Sequence, residues 1–357
     1  MAERITLQTI ADALGVSRTT VSNAYNRPDQ LAPELRRKVL ETAAGLGYAG
    51  PDAAARRLRS GRRGAIGLRF SERLSYAFTD PGALGFLKGL TEATEANGYE
   101  LLLLPGMRGE LQETGAVRDA VVGAFCLYCM PDGHPAIAAA LERRLPVVIV
   151  DEPRLPGAFF VGIDDREGAR MAAAHVAALG HQRVAVITDR LADDHYEGLA
   201  DAARVADAVY KISRERVAGY LSGLAATEPV RVYDAMANEP ECGARAARAA
   251  LAVERPPTAL LCSTDVLALG AVEALREQGH EVPGDVSVVG FDDVPAAAPA
   301  GLTTIRQSLV EKGREAGRLL MERDTEREVM LPIELIRRSS TAPPPPGQGT
   351  RSGPLSM

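Results

Sequence analysis

The stretch Thr6-Leu7-Gln8-Thr9-Ile10-Ala11-Asp12-Ala13-Leu14-Gly15-Val16-Ser17-Arg18-Thr19-Thr20-Val21-Ser22-Asn23-Ala24-Tyr25-Asn26 decides how the amino-terminal end folds. Ile10 and Leu14 stand four apart, on one helical face, and Thr6 is a good N-cap for that helix. Gly15 ends it, because the turn needs a backbone conformation that a Cβ penalises. Ser17 then caps a second short helix, Arg18 to Asn26. Small Ala11, turn Gly15 and apolar Val21 have the spacing of a helix–turn–helix unit. Ala11 lets the two helices approach, and Val21 closes the small core between them. A third helix over roughly Pro33–Gly45 turns Leu35, Val39 and Leu40 inward, with Pro33 suited to its first turn.

The second helix keeps a polar outer face. Arg18 and Thr19 lie at its start, and Asn23 follows four residues after Thr19. Arginine can bond guanine through two donors, and asparagine can do the same with adenine. Thr6, Ser17, Thr20, Ser22 and Asn26 are short hydrogen-bonding residues suited to phosphate oxygens. As a set inside this motif they point to the major groove of double-stranded DNA. Charge agrees. Residues 1–63 hold 11 Lys+Arg and 6 Asp+Glu, a net of +5, in a chain whose total is −6. A basic head on an acidic body is expected to meet a polyanion with the head alone.

Residues 51–63 read as a hinge. Pro51 suits a helix start, Asp52 its first turn, and Gly61 its end. A helix of about eight residues is too short to be stable alone in water, so it is expected to order only on docking.

From Ala65 onward, short apolar runs alternate with helical patterns. Ile66–Phe70, Glu100–Leu104, Gly123–Cys129, Val147–Val150, Val184–Thr188, Ala259–Cys262 and Val286–Val289 read as buried strands. Gly85–Asn97 and Gly168–Leu179 read as helices. Such alternation implies parallel sheets with helices on both faces. About 270 residues of it exceed one comfortable sheet, so two lobes are expected, with a ligand outside the carboxyl ends of the strands, in the cleft between them. The 357-residue chain has no apolar run near the ~20 residues of a membrane span, and Met1–Arg4 lead into a mixed polar segment without an apolar h-region, so no signal peptide is expected. A cytoplasmic protein is expected.

Cys126 and Cys129 form a C-x-x-C, but within a strand, where residues three apart face opposite ways. They read as buried, reduced thiols rather than a metal or redox pair. His195, in Asp193-Asp194-His195, lacks a second clustered histidine and reads as solvated loop. No metal and no cofactor are expected. Residues 341–357, with four consecutive prolines, read as a disordered tail.

The segment Thr6-Leu7-Gln8-Thr9-Ile10-Ala11-x3-Gly15-Val16-Ser17-x2-Thr20-Val21-Ser22-x3-Asn26, followed by Gly47-Tyr48-x2-Pro51 and Ala55-Arg56-x-Leu58, resembles the LacI/GalR family of bacterial transcription regulators. The resemblance continues through Leu179–Ala185, Ser287–Asp293 and Leu302–Gln307, and spans roughly residues 5–340. It implies a helix–turn–helix head (1–50), a hinge helix and linker (51–63), and a periplasmic-binding-protein-like, two-lobed effector and dimerisation domain (64–340). The first lobe would comprise about 64–165 and 292–325, the second about 166–291 and 326–340. Leu58 matches an apolar wedge that enters the minor groove and kinks the DNA, with Ala55 and Arg56 beside it.

In the cleft, Arg216, Asp292 and Asp151 match effector-contacting positions, and Thr264 stands where relatives often have Asn. Tyr76 and Phe78 are the expected apolar platform of the first lobe. Asn238 occupies a position where relatives often carry a stacking aromatic. That departure, with no Trp in the chain, argues against a purine. The effector the resemblance implies is a sugar or related metabolite. Asp189 to Ser213 exceeds the matching family stretch and reads as a surface insertion. The implied function is a dimeric repressor of a pseudo-palindromic operator, controlled by that effector.

Two other classes compete. A transporter's solute-binding protein would account for the body, but it predicts an export leader and leaves residues 1–60 without a role. A nucleotide-dependent α/β enzyme would need a G-x-G-x-x-G, Walker A or G-x-S-x-G motif, and the sequence has none. No catalytic residues are expected.

Overall fold

The computed structural model describes residues 5–27, 30–48, 64–106, 110–224, 229–322 and 327–346. They divide into two units, before and after the Gly64–Ala65 junction. The hinge positions Ala55, Arg56 and Leu58 lie outside the described residues.

In the first unit, helix α1 (Leu7–Leu14) opens on a reciprocal cap: the Thr6 hydroxyl accepts from the Thr9 amide, and the Thr9 hydroxyl accepts from the Thr6 amide. Gly15 ends it at φ +63°. Ser17 caps α2 (Arg18–Asn26), accepting the Thr20 amide at 3.0 Å. Helix α3 (Pro33–Gly45) starts on its proline. Ile10, Ala11, Val21, Ala24, Val39 and Ala43 form the shared core, with Leu14 and Leu35 at its margin. Leu40, expected inside, is half-buried and outside this cluster. Tyr25 meets Tyr48 edge-on at 6.1 Å, pinning the end of α2 to the chain that leaves α3.

The second unit holds two sheets. Its elements run β1 (Ala65–Phe70), α4 (Pro81–Ala96), β2 (Glu100–Leu104), α5 (Glu110–Asp119), β3 (Ala124–Tyr128), α6 (Pro135–Glu142), β4 (Val147–Val150), β5 (Phe159–Gly162), α7 (Asp165–Ala178), β6 (Val184–Thr188), β7 (Gly198–Ala200) and α8 (Ala202–Ala206). They continue with α9 (Lys211–Gly223), β8 (Arg231–Asp234), α10 (Pro240–Leu251), β9 (Ala259–Cys262), α11 (Asp265–Glu277), β10 (Ser287–Asp292), β11 (Thr303–Gln307), α12 (Leu309–Glu322), β12 (Glu328–Met330) and β13 (Ile333–Ile336). The first sheet has order β12-β5-β4-β3-β1-β2 and is parallel throughout. The second has order β13-β11-β10-β9-β6-β8-β7, parallel except for its antiparallel edge pairs β11–β13 and β7–β8.

Inner strands such as β3, β4 and β9 are apolar on both sides because both faces are covered. Cys126, Val148 and Val150 join one cluster, and their neighbours Phe125, Leu127, Val147 and Ile149 join another. The second sheet divides in the same way, with Ile187 and Cys262 in one cluster and Val186 and Leu261 in the other.

Three expectations change. Strand β11 pairs with β10, so residues 292–307 stay in the second lobe and the chain crosses back only after Gln307. Strand β12 then pairs with β5 in the first sheet, which places 328–330 in the first lobe rather than the second. The order of motifs along a chain does not reveal where it crosses between two similar sheets. Thirdly, the start of the expected disordered tail is docked. The Ala342 amide donates to Ser287 Oγ at 3.0 Å, and its carbonyl bonds His181 Nε2 at 2.8 Å. Residues 347–357 lie outside the described residues.

Helix α12 packs on α4 at a glycine crossing. A Cβ on Gly89 would overlap the Val310 carbonyl, and one on Gly313 would overlap the Phe86 carbonyl. Gly89→Ala should therefore destabilise by about 1–3 kcal/mol through overpacking. The same change in an open helix would stabilise by about 0.5–1 kcal/mol. Urea unfolding of the full-length variant reads the sign, and an unchanged or raised midpoint would refute the packing argument.

Candidate functional site

The chain brings the carboxyl ends of both sheets to one cleft, as ligand sites in such sheets require. Its cavity is about 190 Å³. One water needs only about 10–15 Å³ on the same measure, so the space has room for a small metabolite. Ser71 and Glu72 follow β1, Tyr128 closes β3 with Cys129 just after it, and Asp151 and Glu152 follow β4. From the second lobe come Asp189 and Arg190 after β6, Asn238 after β8, Ser263 and Thr264 after β9, with Asp292 ending β10. Cys129, Asp151 and Asp292 have φ of +49°, +68° and +117°. Non-glycine residues rarely take these conformations, and such residues gather at functional clefts.

Arg216, on α9, is almost wholly buried. Its Nε donates to Asp165 Oδ1 at 2.8 Å and its Nη1 to the Ser263 carbonyl at 2.5 Å. Asp292 Oδ1 is 3.5 Å from Nη1, and the guanidinium stacks 3.7 Å over the Phe291 ring. Burial pushes Asp292 up to about 6, opposed by the adjacent arginine charge. Gln307 Nε2 also donates to Asp292 Oδ1, at 2.5 Å. The chain of contacts continues into the first lobe, where buried Lys312 donates to both Gln307 Oε1 and Asp151 Oδ1. An ordered series of partners thus runs Asp165–Arg216–Asp292–Gln307–Lys312–Asp151 across both lobes.

A second series crosses the cavity. Thr264 caps α11 and donates to Asn238 Oδ1 at 2.6 Å; Asn238 Nδ2 donates to Asp80 Oδ2 at 2.9 Å. Tyr76 donates its phenolic hydrogen to the same oxygen at 3.1 Å. Asp80 is also the N-cap of α4.

Of the cleft residues read from sequence, Tyr76, Asp151, Arg216, Asn238, Thr264 and Asp292 all line the cavity. Phe78 does not, and its side chain is 52% exposed. Both aromatics lie in one 3₁₀ turn, Tyr76–Phe78, in which residues two apart project about 240° apart. With Tyr76 facing inward, Phe78 faces solvent.

The expected surface insertion is exposed in its middle, Asp193 to Glu197, but its two ends form a cleft wall. Strand β7 extends the second sheet, while Asp189, Arg190, Tyr210, Ile212 and Ser213 line the cavity. Arg190 pairs with Glu72 of the other lobe. The Ile212 amide donates to Glu152 Oε2 at 2.8 Å, and the Asp132 amide to the Val209 carbonyl at 3.0 Å. His195 sits exposed on this segment, away from the cavity. Cys126 and Cys129 are both free. Cys129 lies just past the strand end and donates to Asp151 Oδ2 at 3.6 Å, so it too belongs to the cavity wall.

Asp80, Asp189 and Lys312 were not read from sequence. Two of them carried a signal. Asp80-Pro81 is an N-cap followed by a helix-starting proline. Lys312 occupies the apolar stripe of α12, four residues before Ala316 and among buried Gly313, Leu319 and Leu320.

On the head, Arg18 and Thr19 are exposed at the start of α2, and Asn23 is half-buried beyond them. Ser17 and Thr20 share a 2.8 Å hydroxyl contact at the same helix end. Ser22 is half-buried. Thr6 caps α1, and Asn26 closes α2.

Comparison with known proteins gives the same picture. Residues 173–341 match the periplasmic binding protein-like domain family. An HTH-type transcriptional regulator of Mycobacterium tuberculosis is 41% identical over 96% of this chain and 98% of its own length. The crystal structure of a LacI-family transcriptional regulator from Corynebacterium glutamicum superposes with a TM-score of 0.73 at 33% identity, covering 95% of this chain and all of its own. A complex of the regulator CelR with cellobiose gives 0.66 at 28% identity, covering 94% and 100%.

The chain belongs to the LacI/GalR family of transcriptional regulators. This LacI/GalR regulator is a DNA-binding transcriptional regulator of the helix–turn–helix type. Among its described residues no helix is long and apolar enough to cross a membrane.

Lys312→Met would strand Asp151 as a buried charge and should cost about 3–5 kcal/mol. Adding Asp151→Asn should recover more than half of the loss. Chemical unfolding of the two variants and wild type reads both numbers; a single variant as stable as wild type would remove this ion pair from the account.

Proposed function

We propose that this regulator is a homodimeric repressor of a pseudo-palindromic operator, and that its effector is a polyhydroxyl metabolite, a sugar or a relative of one, held between the two lobes. The cavity wall carries the effector reading. A fixed guanidinium at Arg216, an amide at Asn238, a hydroxyl at Thr264 and carboxylates at Asp151 and Asp292 surround a space sized for one small molecule. A polyhydroxyl ligand needs donors and acceptors together, and this wall supplies both. The CelR–cellobiose complex supports a ligand of this chemistry.

In this reading Arg18, Thr19 and Asn23 contact base edges. Thr6, Ser17, Thr20, Ser22 and Asn26 contact phosphates, and the hinge inserts Leu58 into the minor groove beside Ala55 and Arg56. Val21 and Ala24 anchor α2 to the core of the head while Arg18 and Thr19 stay exposed, as a recognition helix requires. Two heads would read half-sites about one helical turn apart. Effector binding would act by favouring one arrangement of the lobes over another, which only differential affinity for the two can do.

A duplex selected from a random pool should bind the full-length protein with a steep loss of affinity on raising salt. Asn23→Ala should weaken that duplex by about 1–3 kcal/mol while leaving a scrambled competitor unaffected. Leu58→Ala should lower operator affinity by removing the wedge. Fluorescence anisotropy checks all three, and failure to enrich any duplex over scrambled DNA would defeat the proposal.

A further inference from the structure

We propose that Asp80 and Asp189 are specificity-determining residues of the cleft, which admit a hydroxyl-rich, uncharged effector and reject its phosphate and carboxylate derivatives. This rests on the effector reading above and narrows it. The two residues reach the cavity from opposite lobes, Asp80 from the start of α4 and Asp189 from the end of β6.

The argument is one of charge accounting around the cavity. Its cations are committed. Arg190 pairs with Glu72 and lies over the Tyr210 ring at 4.5 Å. Arg216 is held by Asp165, Asp292 and the Ser263 carbonyl. Lys312 is held by Asp151 and Gln307. Among the described residues, no arginine, lysine or histidine forms an ion pair with Asp80 or Asp189.

Asp80 instead accepts from the Tyr76 hydroxyl, the Asn238 amide and the Ala83 backbone. Asp189 Oδ1 accepts the backbone amide of Arg190 at 2.7 Å. Burial pushes Asp189 up to about 7, and the charges of Asp80 and Asp234 add to the rise. A carboxylate has about four acceptor positions, so Asp189 retains capacity for donors from a ligand.

A buried carboxylate without a cation is stabilised by donors supplied to it. Ligand hydroxyls do this through short, charge-assisted bonds. Above pH 7, where Asp189 is ionised, a phosphate or carboxylate group brings a like charge into the same small space, where the low dielectric strengthens repulsion, and Arg190, Arg216 and Lys312 already hold carboxylates. The uncharged polyol supplies donor hydroxyls to the two aspartates without adding charge to the cavity.

The test is calorimetric titration of the full-length protein with hexoses, pentoses and cyclic polyols, each beside its monophosphate and, where one exists, its uronate. A neutral member should bind, with its charged derivatives at least 30-fold weaker. Asp189→Asn should narrow that gap at least 10-fold, chiefly by improving the charged ligand, and Asp80→Asn should shift it in the same direction. A merely structural role would weaken every ligand alike and leave the ratio unmoved. The wild-type ratio needs no variant to fold. A monophosphate or uronate that binds as tightly as its neutral parent would overturn this inference and leave the effector reading standing. If neither neutral nor charged members bind, the polyhydroxyl reading itself fails.

Discussion

A guanidinium removed from water must be given partners, and the cleft is organised around that demand. Arg216 is buried at the meeting of α9 with the ends of β9 and β10, and everything that surrounds it is placed to compensate its charge. Asp165 begins α7, Ser263 follows β9 and Asp292 closes β10. Removing any one leaves a charge or polar group uncompensated, and such a loss is larger than the contact's own net worth. The same reasoning applies to Lys312 across the cleft, whose partners are Asp151 of its own lobe and Gln307 at the end of the other lobe's sheet. Because Gln307 serves both Lys312 and Asp292, the two buried cations belong to one system rather than two.

That system explains why some of the architecture was legible in the chain and some was not. Alternating apolar runs such as Val147–Val150 and Ala259–Cys262 announce buried parallel strands, since a strand covered on both faces has no polar side to show. Ile10, Gly15 and Val21 announce the head through helical spacing and a single turn residue. The lobe crossings are different. Strands β11 and β12 are short segments that either sheet could have accepted, and only tertiary packing chose between them.

The cleft residues divide along the same line. Arg216 and Asp292 could be placed by family position. Tyr76 and Phe78 looked equivalent in sequence, and the 3₁₀ turn separated them. Asp189 and Arg190 sat in a stretch rich in alanine and charge, whose composition suggests a solvated surface. Composition averages over residues that a fold sends in opposite directions. Tyr196 and Leu199 are exposed here, while Tyr210 from the same stretch packs under Arg190.

The bonds that join the lobes are made by groups that also face the cavity. Asn238 reaches Asp80, Arg190 reaches Glu72, and Glu152 receives the Ile212 amide at the start of α9. A ligand in this space competes with these contacts or completes them; it has no separate surface to bind. Its affinity therefore depends on how the lobes are arranged, and by linkage the arrangement depends on the ligand to the same extent. A cavity buried in one lobe could bind as tightly and transmit nothing, because a ligand with equal affinity for two arrangements shifts neither. Placing the acceptors Asp80 and Glu152 on one side and the donors Asn238 and Ile212 on the other makes ligand recognition and lobe arrangement a single equilibrium.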